Sequence, residues 1–364
     1  MEPEINQPPV VLVTGSGGLI GSRVCPRLQE RYTVVGIDLH PPEEPNEHLD
    51  DWYRVDLTEQ DSVSQAIAQV KADYGDRLAS VIHLAAYYDF SGDPSPLYDE
   101  LTVNGTRRLI DELQTMHVEQ FQFSSSLLVM ESVGVGQRLT ERSPTNAEWA
   151  YPESKLKTER VLQEERGDIP VLVLRIAGVY DEQGHSLPVS HQIQRIYEKQ
   201  MESYFFPGNE KCGQSFVHLD DLAECIVSAV DRRNQLPPWK TLLIGEEDVM
   251  SYAELQEAIG RNLHGQEWPT IRIPAFVAKA GAWVKLRMAS SKEDEPFIKP
   301  WMVDLADQNY PIDTTEAQQC LGWAPQHTLR KTLPTILDWL KSDPTAFYAT
   351  NKLGELEPAE GAKG

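Results

Sequence analysis

The chain has 364 residues, 40% hydrophobic and 24% charged, values of a folded globular protein that exclude a disordered or fibrous chain. Lys and Arg number 33 against 56 Asp and Glu, a net charge of −23 that repels phosphate backbones and anionic lipid heads. Neither nucleic acid nor membrane is therefore an expected partner. The amino terminus lacks the basic start and apolar run of a signal peptide, and no apolar stretch approaches the ~20 residues of a membrane helix. Cys25, Cys212, Cys225 and Cys320 form no Cys-x-x-Cys pair, so buried thiols are expected rather than a disulfide framework or a metal site, in a cytoplasmic protein.

Val10 to Val13, set between Pro8-Pro9 and a glycine cluster, is the unbroken apolar run of a short buried parallel strand. A helical pattern covers 18–30. Further strands are predicted at 32–38, 53–56, 80–85, 120–124 and 171–176, separated by helical segments at 59–72, 97–116 and 150–165. That alternation predicts an α/β protein with a doubly wound parallel sheet. After Gly178 the rhythm loosens into helices at 186–199, 219–230, 251–263, 275–286 and 328–341, with short strands at 241–244 and 270–273. Residues 8–177 are expected to form the sheet domain, with 216–245 returning to it. Residues 178–215 and 246–342 are expected to form a smaller C-terminal α/β substrate-binding lobe, and 343–364 a disordered tail.

The first strand leads into Thr14-Gly15-Ser16-Gly17-Gly18-Leu19-Ile20-Gly21, with glycines spaced Gly-x-x-Gly-x-x-Gly at 15, 18 and 21. The first permits a tight turn, the second a close approach of backbone to a pyrophosphate, and the third close packing of helix on strand. The loop sits between a strand and a helix, which makes the sheet domain a Rossmann-type NAD-binding domain with Gly15, Gly17, Gly18, Leu19, Ile20 and Gly21 at the cofactor. Asp38, at the end of the second strand, is placed to accept hydrogen bonds from the adenosine ribose. Followed by Leu39-His40 rather than Arg, it favours NAD over NADP. Asp56-Leu57 is expected at the adenine edge. Leu84, Ala85 and Ala86 offer small side chains where a strand passes the cofactor, and His83 is read as a core histidine.

Tyr151 and Lys155 stand four apart on a predicted helix and so share a face. An ammonium beside a phenol lowers its pKa, letting Tyr151 exchange a proton with a substrate hydroxyl. The run Ser124-Ser125-Ser126 offers a hydroxyl for the same oxygen.

Together these pieces resemble the extended short-chain dehydrogenase/reductase family, also described as the NAD-dependent epimerase/dehydratase family, over about residues 10–340. The resemblance extends to Asn104-Gly105-Thr106, Leu174-Arg175 with Gly178-Val179-Tyr180, the segment from Phe216 to Ala223, and Leu321-Gly322-Trp323. It implies Ser126, Tyr151 and Lys155 as the catalytic triad, with Ser125 as a possible substitute for Ser126. It also implies Asn104 as the holder of a water beside the lysine, and a homodimer paired through the helices at 97–116 and 150–165.

Departures from the family pattern narrow the chemistry. Leu127-Leu128 stands where sugar-nucleotide dehydratases carry Asp-Glu, so that elimination is disfavoured. Gly178 and Gln214-Ser215 stand where nucleotide-sugar epimerases carry the Asn and Arg that grip a diphosphate. The hydroxysteroid-dehydrogenase and dihydroflavonol-reductase branch fits better. The expected reaction is interconversion of a secondary alcohol and a ketone, with Tyr87, Asp89, Phe90, Leu127 and Gly178 at the substrate pocket and the 275–286 helix, carrying Phe276 and Trp283, over it. A nucleotide-sugar epimerase with tightly bound NAD is the alternative, and a non-catalytic NAD-binding sensor or scaffold is the third reading.

Overall fold

The structure is a computed structural model that describes residues 8–41, 49–89, 92–289 and 295–354. Phe90, one of the expected pocket residues, lies outside the described residues. In chain order the first half runs β1 (Val10–Thr14), α1 (Gly21–Gln29), β2 (Thr33–Asp38), β3 (Asp51–Arg54), α2 (Gln60–Tyr74), β4 (Arg77–Leu78), β5 (Ser80–His83), α3 (Asn104–Leu113), β6 (His117–Val118), β7 (Phe121–Ser126), α4 (Ala150–Glu165) and β8 (Val171–Ile176). The second half runs β9 (Gly178–Tyr180), α5 (Leu187–Tyr197), β10 (Phe205–Phe206), β11 (Phe216–His218), α6 (Leu219–Asp231), β12 (Trp239–Ile244), α7 (Tyr252–His264), β13 (Ile271–Arg272), α8 (Ala275–Met288), α9 (Thr315–Leu321), α10 (Leu329–Ser342) and α11 (Pro344–Asn351).

The central sheet has seven strands in the order β12-β8-β7-β5-β1-β2-β3. All its pairings are parallel. Alternation along β1 explains why strands so apolar are buried on both faces. Val11 and Val13 pack with Val24 and Leu28 of α1 and Leu222 and Ile226 of α6, while Leu12 packs on the opposite face with Val63 of α2 and Leu109 of α3. The strand order reverses between β1 and β5, so a crevice opens at their carboxyl ends, where a doubly wound sheet binds its ligand.

Between β11 and β12 the chain returns to the sheet, with β12 pairing to β8 along its whole length, Trp239 to Ile244 against Val171 to Ile176. A separate core gathers Ile193 of α5, Ile259 of α7, Leu333 and Leu337 of α10 and Phe347 of α11. α11 corrects the expectation of a disordered tail from 343 onward. Asp343 caps it by accepting from the Ala346 amide at 3.0 Å, and Phe347, Tyr348 and Leu353 are buried. An eight-residue helix gains most of its stability from such burial, which a composition-based reading of the polar tail does not register. α8 is a second correction. It carries no buried residue, and Phe276 and Trp283 are 74% and 53% exposed, so these side chains face solvent rather than a pocket.

Candidate active site

The glycine loop has the shape its spacing predicts. Gly15 adopts φ +68°, and a Cβ there would lie 2.9 Å from the backbone nitrogen of Ala85. A Cβ on Gly21 would meet the Gly15 carbonyl oxygen at 2.4 Å, so only hydrogen lets α1 start this close to the turn. The loop is pinned to β2 by Gly15 N–H to the Ile37 carbonyl at 3.1 Å and closed by Gly18 N–H to the Gly15 carbonyl at 3.1 Å. Leu19 and Ile20 follow at the start of α1, whose first turn carries no acidic residue to compete with an anion.

Asp38 ends β2 beside this loop. One carboxylate oxygen accepts from the Gly17 amide at 3.3 Å and the other from the Leu39 amide at 2.7 Å, which fixes the acid at the mouth of the crevice. Across the sheet, Leu84, Ala85 and Ala86 follow β5 without deep burial. Thr14 ties the two strands together, its carbonyl accepting from Leu84 N–H and its hydroxyl from Ala85 N–H. Leu57 is 5% exposed and forms part of the core, so its contact to an adenine can only run through its backbone or outer edge. Asp56 is fixed by its own turn. Its Oδ1 accepts from the Thr58 amide and hydroxyl at 2.9 and 2.7 Å, and these bonds hold its carboxyl below the usual range. These residues fit a dinucleotide: the cradle is one that a Cβ would fill, and an acid stands where ribose hydroxyls need an acceptor.

His83 is the core histidine expected. It is fully buried between the Thr14 and Thr106 hydroxyls, both 2.8 Å away, and burial pushes it down to about 3.

Three neighbouring serines have three different fates. Ser124 donates to the His83 carbonyl at 2.9 Å and Ser125 to the Glu159 carboxylate at 2.5 Å, both away from the crevice. Ser126 accepts from the Leu128 amide and acts on the Tyr151 phenol, lowering its proton affinity. Of the two candidates, Ser125 is engaged by Glu159, and Ser126 is the one that acts on the Tyr151 phenol.

Tyr151 opens α4, and Lys155 lies one turn on, as the four-residue spacing requires. The ammonium does not reach the phenol. It donates to the Ser124 carbonyl at 2.7 Å and lies 5.1 Å from the Phe123 ring centroid and 5.9 Å from that of Tyr151. Burial pushes the Tyr151 phenol up to about 12, only partly opposed by Ser126. The Lys155 ammonium donates to the Ser124 carbonyl rather than to the phenol, and burial is the largest effect on Tyr151. Burial likewise pulls Lys155 down to about 7, opposed by the negative charge of Glu159.

Asn104 opens α3. The chain enters α3 through a π-helical turn, Tyr98–Val103. The Asn104 side chain is held by Arg107, which donates to its Oδ1 at 2.6 Å, and by Glu100, which accepts from its Nδ2 at 3.3 Å. The Thr102 carbonyl accepts from the Thr106 and Thr158 hydroxyls.

The walls around Tyr151 are aromatic. Tyr88 meets its ring edge-on at 4.9 Å between centroids, Trp149 lies 5.6 Å away, and Trp301 stacks obliquely on Trp149 at 5.3 Å. Gly92, at φ +77°, lies flat on the Trp301 indole, where a Cβ would come within 2.5 Å of the ring. Tyr87 packs edge-on against Tyr98 at 4.8 Å and donates to Asp89 at 3.4 Å, behind this wall.

Two expected pocket residues are otherwise engaged. Leu127 is 3% exposed and buried with Val129, Leu243 and Ile312, because the tight turn Leu127–Val129 after Ser126 rotates it into the core. Gly178 is exposed, and a Cβ on it would come 2.7 Å from the Phe216 ring, its partner across β9 and β11. Trp149, Trp301 and Glu159 were not legible as site residues. Trp149 stands only two positions before Tyr151, but nothing local brings Trp301 to it.

Glu182, His218 and His327 bring ligand-type atoms within 4.8 Å of one another. His218 Nδ1 accepts from the Asp220 amide at 3.2 Å, which leaves the proton on Nε2, 3.3 Å from the Glu182 carboxylate. The His218 and His327 rings lie stacked at 4.1 Å, so their in-plane lone pairs do not converge on one point. The cluster is not arranged as a metal centre.

A parallel sheet with a glycine cradle at its switch point and a Ser, Tyr and Lys set beside it defines an NAD-dependent enzyme of the extended short-chain dehydrogenase type. Residues 11–245 match the model of the NAD dependent epimerase/dehydratase family, and the chain belongs to that family. It is 23% identical over 360 residues to a decarboxylating sterol-4-alpha-carboxylate 3-dehydrogenase of Candida albicans, covering 92% of this chain and 98% of the relative. It is 26% identical over 323 residues to a UDP-glucose 4-epimerase of Streptomyces lividans, covering 78% and 92%. The solved structure of MoeE5 in complex with UDP-glucose and NAD has a TM-score of 0.65 to this chain at 23% identity, covering 91% of this chain and 98% of that one.

Proposed function

We propose that this protein is an NAD-linked oxidoreductase that interconverts a secondary alcohol and a ketone on an apolar, ring-bearing substrate. The observation that carries this reading is the aromatic wall of Tyr88, Trp149 and Trp301 around Tyr151. Such a wall favours a flat apolar molecule over a sugar diphosphate. Gly178 is filled from behind by Phe216, and the Ser215 hydroxyl is taken by the Glu246 carbonyl at 2.6 Å. Gly178 and Ser215 therefore offer no grip on a diphosphate, and Gln214 supplies an amide but not the charge of an Arg. The name of the Candida albicans relative, a sterol 3-dehydrogenase, describes an oxidation of the proposed class.

In this reading Gly15, Gly18, Gly21 and Asp38 hold the dinucleotide, which supplies the hydride acceptor or donor. Ser126 holds the substrate oxygen, and Tyr151 gives or takes the proton at that oxygen. The neutral phenol is the dominant form near pH 7, ready for ketone reduction; oxidation requires it to ionise, which rising pH favours. Lys155, fixed on the Ser124 carbonyl, sets the charge beneath the ring.

Sugar epimerisation is the second reading, favoured by the similarity to the Streptomyces lividans epimerase. Purifying the protein without added cofactor, denaturing it and identifying released nucleotide separates the two. An emptied protein that binds NAD reversibly and reduces it with steroid-like or aromatic alcohols supports the dehydrogenase. Near-stoichiometric NAD together with turnover of UDP-sugars overturns it. Tyr151→Phe should abolish turnover while leaving NAD affinity nearly unchanged; retained turnover removes Tyr151 from the role.

A further inference from the structure

The reaction proposed above gives His83 no part, yet its hydrogen bonds run in a single direction. His83, Thr14, Thr102 and Thr106 are each at most 1% exposed, so each must find its partners inside the protein. The Thr106 hydroxyl donates to the Thr102 carbonyl at 2.6 Å. A carbonyl oxygen only accepts, so that proton is committed, and the Thr106 oxygen accepts from His83 Nε2 at 2.8 Å. Nε2 therefore carries the imidazole proton. Burial and the Lys155 charge keep the ring neutral, which leaves Nδ1 to accept from the Thr14 hydroxyl at 2.8 Å. The Thr14 oxygen in turn accepts from the Ala85 amide at 3.1 Å. One tautomer of His83 satisfies the whole circuit from Ala85 to Thr102.

The circuit ends on the π-helical turn Tyr98–Val103, which closes with the Asn104 amide on the Asp99 carbonyl. Turns of this kind are uncommon and gather at functional sites. Here the turn clasps the segment that follows β5. The Thr102 hydroxyl accepts from the Tyr87 amide at 3.0 Å, the Tyr98 hydroxyl donates to the Asp89 carbonyl at 2.9 Å, and the Tyr98 ring stands edge-on to Tyr87. The turn also meets α4: Thr158 donates to the Thr102 carbonyl at 3.4 Å, and Lys157 pairs with Asp99 at 3.2 Å. The clasped segment carries Ala85, packed against Gly15 of the glycine loop, and Tyr88, packed against Tyr151.

We propose that His83 is a positioning residue for the cofactor: its ring, held in the Nε2–H tautomer, braces residues 84–88 between the glycine loop and the π turn. It acts through Thr14 and Thr106, as an outer layer of hydrogen bonds orients the groups that make contact. An apolar side chain in its place leaves the Thr14 hydroxyl without its acceptor and Thr106 without its donor, and the brace is lost. Gly15 packs so closely that a Cβ on it would lie 2.9 Å from the Ala85 nitrogen, so a shift of the segment is felt in the cofactor cradle. The inference concerns the cofactor side of the site and stands whether the substrate is an alcohol or a sugar nucleotide.

The test combines histidine NMR, NADH titration and amide hydrogen exchange on the full-length protein. In wild-type protein the nitrogen spectrum of the imidazoles should show His83 with its proton on Nε2 near neutral pH; a proton on Nδ1 overturns the circuit. His83→Leu should bind NADH about tenfold more weakly, the scale of one buried polar group left unpaired. Its amides at 84–89 should exchange faster while those of β8 and β12 exchange as in wild type. His83→Gln, which returns a donor to Thr106, should recover most of the lost affinity. A purely structural histidine would lower the thermal midpoint and quicken exchange throughout the sheet, with the NADH affinity of the folded protein unchanged. That result overturns the proposal, as does a His83→Leu protein that binds NADH and exchanges like wild type. Should His83→Leu fail to fold, Thr106→Val removes the same link with little change of shape and should weaken NADH binding in the same direction; unchanged affinity there overturns the proposal too.

Discussion

Glu159 and Arg175 are 6% and 8% exposed, and the guanidinium grips the carboxylate twice, Nη2 at 2.7 Å and Nε at 3.1 Å. Ser125 donates to the same carboxylate at 2.5 Å, and Arg175 Nη1 reaches the Met130 sulfur at 2.9 Å. Glu159→Ala strands a buried cation and a buried hydroxyl at once. Losing one partner of such a pair costs about 3–5 kcal/mol, a third or more of the stability of many domains. Replacing both partners with Met removes the Arg175 cation along with the carboxylate, leaves only Ser125 without its acceptor, and should cost clearly less than Glu159→Ala. Urea unfolding with an unchanged m-value is the assay. Glu159 also supports the charge of Lys155, so Glu159→Gln should move the Lys155 titration below its value of about 7. The limb of the pH–rate profile that reports the lysine then shifts toward acid. Equal costs for the single and double variants, or an unmoved profile, would refute the network.

Lys155→Met tests the cost of burying the ammonium. Between about 7 and the ordinary lysine value of 10.5 the unfolded chain binds a proton that the folded chain lacks, so the wild-type deficit is full below 7 and fades toward 10.5. The inactive variant should therefore gain thermal midpoint relative to wild type most at neutral pH and below; a pH-independent difference contradicts this. Glu246 is 2% exposed, accepts from the Leu329 amide at 2.9 Å, and is pushed by burial up to about 8. From 4.5 to about 8 the folded chain holds a proton that the unfolded chain has released, and stability falls as pH rises through that window. Glu246→Gln should match wild type near the bottom of the window and be more stable above it, as unfolding midpoints at the two ends would report. Gly15→Ala forces a left-handed Ala costing about 1–2 kcal/mol and a Cβ 2.9 Å from the Ala85 nitrogen. It should weaken NADH binding by at least about tenfold, and unchanged affinity by fluorescence titration would remove the loop from the cofactor.

The features legible in the sequence are those set by residues close together in the chain. Apolar runs of strand length placed β1, β5 and β8, and the helical pattern at 251–263 placed α7, which opens on a Ser251/Glu254 capping box. The glycine spacing implied a turn that no side chain can enter, and the four-residue interval put Tyr151 and Lys155 on one face of α4. Each is a local rule of backbone geometry, so each survives folding unchanged.

Which of three identical serines faces the site depended on contacts with other segments. The pleat sends Ser125 to Glu159 on α4, while Ser126 meets Tyr151. Packing around the strand end put Leu127 in the core, Arg107 took the Asn104 side-chain oxygen, and the Ser124 carbonyl claimed the Lys155 ammonium. Trp301 joins the aromatic wall from 150 residues beyond Tyr151, and α8 presents outward the apolar residues expected to face in. The sequence by itself determined the elements and the chemical groups, because periodicity and backbone sterics act within a few residues. The direction of each side chain, and the proton affinity that follows from its burial, were decided only when distant segments closed around it.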